Sequence, residues 1–185
     1  QDDLTYTPTG ATAGTVTRAG QNVVTTFTGV AGAFTLDALG NTDTLTVNGT
    51  SISETITVTG TLVTVGTLKT VNYTSAEDLR VNGQAGSDIF NVTPALSTSM
   101  FIDGGNPIAV LAGDRLNVTA TPGAMFTPGP EIDEGGFSFT AEQAVSYDKI
   151  EAISISGGPV AVSGTNGPDA ITIIARDGST HLGTD

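Results

Sequence analysis

Short apolar pairs separated by one polar residue recur along almost the whole chain, and threonine, asparagine or serine fills most of the positions between them. Examples are Leu45-Thr46-Val47, Ile56-Thr57-Val58, Phe90-Asn91-Val92 and Leu116-Asn117-Val118. Alternation with a period of two places successive side chains on opposite faces of a strand, and β-branched residues favour that conformation. The pattern predicts an all-β fold of many short strands, each with one apolar face.

A glycine often follows an aliphatic residue at a distance of two positions. Such a glycine is typical of a strand that ends at a corner with positive φ. Three copies of this motif begin at Val58, Val81 and Ile102, which by subtraction are 23 and 21 residues apart. A nearly constant interval of this length indicates a chain that winds in stacked coils. The copies are Val47-Asn48-Gly49, Val58-Thr59-Gly60, Val81-Asn82-Gly83, Ile102-Asp103-Gly104, Ile155-Ser156-Gly157 and Val162-Ser163-Gly164.

The apolar pairs separate into two interleaved tracks, and equivalent strands of a parallel β-helix stack one coil apart. We expect a right-handed parallel β-solenoid, with a β-sandwich as the alternative because sandwich strands also recur every 8 to 12 residues. The first track has Ile56/Val58, Leu79/Val81 and Met100/Ile102, and the second has Leu45/Val47, Phe90/Val92 and Leu116/Val118.

The chain divides into a cap and a coil region. Residues 1–30 have the turn spacing of β-hairpins and are predicted to form an N-terminal β cap, which a solenoid needs to cover its first coil. Residues 31–185 are predicted to form the coils. Prolines and paired glycines predict a loop-rich insertion around residues 104–136.

Composition excludes several classes of function. The formal net charge of −13 disfavours nucleic acid and anionic membranes as partners. The absence of cysteine excludes disulfides and thiolate metal sites. No apolar run approaches the roughly 18 residues that a membrane span requires. The chain ends at Asp185 without a terminating signal, so we expect a fragment of a longer protein.

An acidic residue precedes several of the alternating segments. Two of them, around Asp88 and Asp169, follow glycines and resemble the glycine- and aspartate-rich nonapeptide of repeats-in-toxin proteins. That resemblance implies Ca²⁺ binding by aspartates in turns, with Asp43, Asp88, Asp114 and Asp169 as the candidate ligands. The copies here are not consecutive, so one aspartate per turn falls short of a calcium cage. The alternative is that each carboxylate accepts hydrogen bonds from turn N–H groups.

The whole chain is similar to repeat modules of very large bacterial extracellular and cell-surface proteins. The similarity rests on Leu4-Thr5-Tyr6-Thr7-Pro8, Val65-Gly66-Thr67-Leu68 and Phe101-Ile102-Asp103-Gly104-Gly105. It implies a non-catalytic structural or adhesive module, either of an exported surface protein or of an extracellular filament. The partners it implies are neighbouring modules of the same or identical chains, and surface polysaccharide.

Two other functions remain open. A carbohydrate- or Ca²⁺-binding module would use the loops between Asp103 and Gly136. A polysaccharide-active enzyme would need clustered carboxylates, for which Asp103, Asp114, Asp133 and Glu134 are the candidates, with Arg115 nearby. The only histidine, His181, lies in the terminal tail, so we expect no Ser-His-Asp site and no enzyme.

Overall fold

The computed structural model describes residues 2–108, 113–164 and 167–168. These residues form strands, turns and bends without a helix, which confirms the prediction of an all-β fold. Within them, therefore, no helix is long and apolar enough to cross a membrane. The described strands are β1 (Asp3–Gly10), β2 (Ala13–Arg18), β3 (Val24–Phe27), β4 (Thr35–Asp37), β5 (Thr44–Asn48), β6 (Thr55–Val58), β7 (Leu62–Val65), β8 (Val71–Thr74), β9 (Asp78–Asn82), β10 (Ile89–Val92), β11 (Ser99–Asp103), β12 (Arg115–Ala120), β13 (Ala124–Pro128), β14 (Gly135–Ser138), β15 (Val145–Asp148), β16 (Ala152–Gly157) and β17 (Val160–Val162).

The strands belong to two mixed sheets. Sheet A has the order β17-β13-β14-β15-β11-β9-β5-β1-β2-β3, and sheet B has the order β16-β12-β10-β6-β7-β8-β4. The chain repeatedly crosses between the sheets, since β5, β9, β11 and β15 lie in sheet A while β6, β10, β12 and β16 lie in sheet B. Neighbours within each of these two sets pair in parallel. We call two strands that follow one another in the chain, one from each set, a layer; β5 with β6 is an example.

Parallel pairing in register aligns the apolar side chains of equivalent strands in rows. Each row points to the apolar face of its sheet, and the residues of all four rows except the terminal Ile153 belong to or pack against one continuous core cluster. The two sheets therefore turn their apolar faces to a common core, which is the burial that stabilises short strands. The rows of sheet A are Leu4-Leu45-Leu79-Met100-Val145 and Tyr6-Val47-Val81-Ile102-Tyr147, and those of sheet B are Ile56-Phe90-Leu116-Ile153 and Val58-Val92-Val118-Ile155.

The predicted assignment of strands to the two tracks is wrong for β5 and β6. Ile56 stacks on Phe90 in sheet B, and Leu45 stacks on Leu79 in sheet A, so the first members of the two tracks are exchanged. The reason is that β7 and β8 form antiparallel pairs inserted between β6 and β9. Because of this insertion, the stacked residues Asn48 and Asn82 are 34 residues apart in the sequence, whereas Asp78 and Ser99 in the next pair of strands are 21 apart.

The N-terminal hairpins are confirmed, since β1 pairs antiparallel with β2, and β2 with β3. Strand β1 also pairs in parallel with β5, so the same strand begins the row of stacked strands. The segment 104–136, for which a loop-rich insertion was predicted, includes β12, whose Leu116 and Val118 are buried. The antiparallel pair β13–β14 follows and extends sheet A.

Candidate functional site

Four acidic residues stand immediately before the parallel strands of sheet B. They are Glu54, Asp88, Asp114 and Glu151, and the register of the sheet stacks them one above another. We call them the carboxylate ladder. The backbone N–H groups of the first three donate to the carboxylate that precedes the next strand of sheet B: Glu54 to Asp88 Oδ1 at 2.7 Å, Asp88 to Asp114 Oδ1 at 2.6 Å, and Asp114 to Glu151 Oε2 at 2.6 Å. The ladder therefore links consecutive layers at the N-terminal ends of the parallel strands of sheet B.

The two central carboxylates of the ladder are buried, with 0% exposure for both Asp88 and Asp114. Their Oδ2 atoms have no hydrogen-bond donor among the described residues. Burial raises the pKa of Asp88 to about 7, helped by the charges of Asp114 and Glu54 and opposed by the hydrogen bond from Glu54. Burial also raises the pKa of Asp114 to about 6, with the charges of Glu151 and Asp103 acting in the same direction. Both groups thus take up protons close to neutral pH.

Glycines lie directly against the ladder. A Cβ atom on Gly83 would lie 2.6 Å from Asp88 Oδ2 and 2.5 Å from the carbonyl oxygen of Gly104. The predicted positive φ is wrong for Gly49, Gly60, Gly83 and Gly104, although Gly157 has it at 106°. Gly49, Gly83 and Gly104 are required instead because a Cβ atom on each would meet a backbone carbonyl oxygen of the adjacent layer.

A shorter series of the same kind stands before the strands of sheet A. The N–H of Asp2 donates to Asp43 Oδ1, and the N–H of Asp43 donates to Glu77 Oε2 at 2.8 Å. Asp43 is 1% exposed. Asp43 thus accepts a backbone N–H from the adjacent layer, as Asp88 and Asp114 do, whereas the carboxylate of Glu54 accepts the N–H of Thr50 from its own loop at 2.9 Å.

The candidate calcium ligands are distributed between these two series. Asp88 and Asp114 are neighbours in the carboxylate ladder, Asp43 lies in the series of sheet A, and Asp169 lies outside the described residues. Within the described part of the chain, no group of three or more acidic or histidine side chains is arranged to hold a metal ion. A Ca²⁺ ion takes six to eight oxygen ligands. Calcium binding stays a prediction from the sequence.

The carboxylates considered for catalysis lie in different environments. Asp103 ends β11 on its outward face and forms an ion pair with Lys149, whose Nζ is 3.0 Å from both carboxylate oxygens. Asp114 is buried in the ladder. Asp133 and Glu134 lie in the turn between β13 and β14, and Arg115 is exposed on β12.

The sequence reasoning missed the outward face of sheet A around Phe101. This residue lies between the buried Met100 and Ile102, so alternation alone would have placed it outward. Its neighbours in register are Arg80 on β9 and Ser146 on β15. Phe101 is thus the partly exposed aromatic centre of an otherwise polar surface.

Comparison of the chain with protein-family models, with curated proteins and with solved structures finds no match.

Proposed function

We propose that the chain is a right-handed parallel β-solenoid module that serves as a structural and adhesive unit, without catalytic activity, in an exported bacterial cell-surface protein or extracellular filament. The observation that carries this proposal is the in-register parallel pairing of equivalent strands in both sheets, with the chain crossing from one sheet to the other. Coils of a solenoid produce this pairing, because each coil contacts only its neighbours. The location is proposed from the sequence resemblance.

Side-chain hydrogen bonds that run from layer to layer support a mechanical role. The Nδ2 of Asn82 donates to Asn48 Oδ1 at 3.0 Å in sheet A, and the Nδ2 of Asn117 donates to Asn91 Oδ1 at 2.9 Å in sheet B. With the carboxylate ladder, they connect the layers along the stacking direction. A spacer needs such repeated, axial connections so that its layers resist separation.

The last layer of the described stack has the properties of a surface to which another layer binds. Among the described residues, β16 pairs on one side only, with β12. Ile153 on β16 is 37% exposed and Val162 on β17 is 56% exposed. An open strand edge beside apolar side chains favours the addition of a further strand. We propose a neighbouring module, or an identical chain, as the partner there.

Sedimentation and small-angle scattering of the purified chain test this role. We expect concentration-dependent assembly into elongated particles, and Ile153→Arg abolishes it because a charge replaces an apolar contact. Ile52→Arg is the matched control, since Ile52 is 67% exposed in the loop between β5 and β6. A chain that stays a monomer at millimolar concentration, or an Ile153→Arg variant that assembles like the parent, contradicts the proposal.

A further inference from the structure

The outward face of sheet A combines one aromatic ring with hydrogen-bonding groups on three adjacent strands. We call this surface the Phe101 face and define it by Arg80 and Asn82 on β9, Phe101 and Asp103 on β11, and Lys149 after β15. Register places Arg80 beside Phe101 and Asn82 beside Asp103. The strands that carry these side chains belong to the parallel core, so the face rests on a rigid support.

The polar groups of the Phe101 face are held in defined positions. The guanidinium carbon of Arg80 lies 5.8 Å from the centre of the Phe101 ring. Both oxygens of Asp103 accept hydrogen bonds from Lys149 Nζ at 3.0 Å, and this contact raises the pKa of Lys149. Lys149 stays positively charged and Asp103 is oriented by it. A ligand therefore meets groups that do not have to be ordered when it binds.

Two shallow cavities lie along β11, one near its middle and one at its C-terminal end. One of about 300 Å³ is lined by Phe101, Arg80 and Ser146, and the other of about 410 Å³ by Asp103, Asn82 and Lys149. From Ser99 to Asp103, β11 spans roughly 13 Å at about 3.3 Å per residue. This length accommodates a short oligosaccharide segment, with an aromatic contact at one end and polar contacts at the other.

The charge of the Phe101 face differs from that of the whole chain. Two of the chain's six basic residues, Arg80 and Lys149, lie on or beside this face, with Asp78, Asp103, Asp148 and Asp133 around them. The face thus has one basic residue for every two acidic ones, whereas the whole chain has 6 basic and 19 acidic residues. A neutral ligand suits this surface, because a polyanion would be repelled by the remainder of the molecule.

We propose that the Phe101 face binds a neutral polysaccharide. The C–H face of a sugar ring packs on the exposed part of Phe101, where the aromatic ring carries partial negative charge. Sugar hydroxyls donate to the Asp103 carboxylate and accept from Lys149, Arg80 and the Asn82 amide. The proposal does not rest on the stacking of modules, since this face lies on the side of sheet A and not at its end.

Affinity electrophoresis and titration calorimetry with laminarin and mannan, two neutral polysaccharides, test the site, with the anionic alginate as the comparison. We expect the parent chain to bind at least one neutral polysaccharide and to bind alginate more weakly. Phe101→Ala weakens binding roughly ten-fold, which corresponds to the loss of one aromatic contact. Phe101→Trp retains binding. Thr57→Ala, at an outward position of sheet B, is the matched control and leaves binding unchanged.

Three results overturn the proposal. The first is a parent chain that binds neither neutral polysaccharide. The second is Phe101→Ala with the affinity of the parent, while circular dichroism shows both to be folded. The third is tighter binding of alginate than of the neutral polysaccharides. None of these results depends on assembly, because binding is measured with the Ile153→Arg variant as well as with the parent chain.

Discussion

Replacement of Asp88 by asparagine is expected to remove most of the pH dependence of stability. The carboxyl group has a pKa of about 7 in the folded chain against 3.8 for the ordinary group. In Asp88→Asn the side-chain oxygen still accepts the N–H of Glu54, but the group no longer titrates. The variant therefore separates the effect of ionisation from the effect of the hydrogen bond.

The sign follows from proton linkage. Because the folded state binds the proton more tightly than the unfolded state, stability is highest below pH 3.8 and is lost as the pH rises towards 7. Each pH unit in this window changes the free energy of unfolding by about 1.4 kcal/mol. Between pH 5 and pH 8.5, Asp88 accounts for a loss of about 3 kcal/mol. Asp114, with a pKa of about 6, adds about 1 kcal/mol.

The assay is urea unfolding of the parent chain and of Asp88→Asn, followed by circular dichroism at pH 5 and at pH 8.5. The new amide N–H₂ takes the place of Oδ2, which has no hydrogen-bond partner among the described residues. A buried amide without a partner costs roughly 1–3 kcal/mol, but that cost is the same at both pH values. The informative quantity is therefore the difference between the free energies of unfolding at the two pH values. It falls from about 4 kcal/mol in the parent to about 1 kcal/mol in the variant.

Glu131→Gln is the control, since Glu131 is exposed in the turn between β13 and β14. It removes one acidic group without touching the carboxylate ladder, so we expect the pH dependence of the parent. If Asp88→Asn loses as much stability as the parent between pH 5 and pH 8.5, then Asp88 is not protonated in the fold. The account of the ladder given above would then be refuted.

Three further predictions concern packing and ionisation. Gly83→Ala lowers the free energy of unfolding by about 1–3 kcal/mol, because its methyl group meets backbone and carboxylate atoms. Gly32→Ala is the control and is neutral in the same urea assay, since Gly32 has open space around it. Phe90→Ala costs about 3–5 kcal/mol, while Ile89→Ala, at a position 39% exposed, costs much less; equal losses would refute the assignment of faces in β10. Burial raises the pKa of all three tyrosines to about 12. We therefore expect ultraviolet absorbance at pH 10.5 to show no phenolate in the folded chain and to show phenolate in the chain unfolded by urea. Because the folded chain holds these phenol protons more tightly than the unfolded chain, their contribution to stability is complete below about pH 10 and is lost as the pH rises to about 12.

Local alternation was sufficient to predict strands and the side to which each residue points. Ile56, Phe90 and Leu116 are buried, and the polar residues between the apolar ones face outward, as a period of two requires. The acid before each strand was also visible in the sequence. Its partner was not, because a hydrogen bond from Asp88 to Asp114 depends on which layers are adjacent.

The sequence by itself determined an all-β chain, the inward residues of its strands and the acidic position before them, since these follow from the local period and from turn chemistry. Only the tertiary structure decided which strands pair, because the inserted β7–β8 hairpin makes the interval between layers variable. It also decided the burial that keeps Asp88 protonated near neutral pH. Likewise, Lys149 and Asp103 are 46 residues apart, and they meet only because β11 and β15 lie side by side in sheet A.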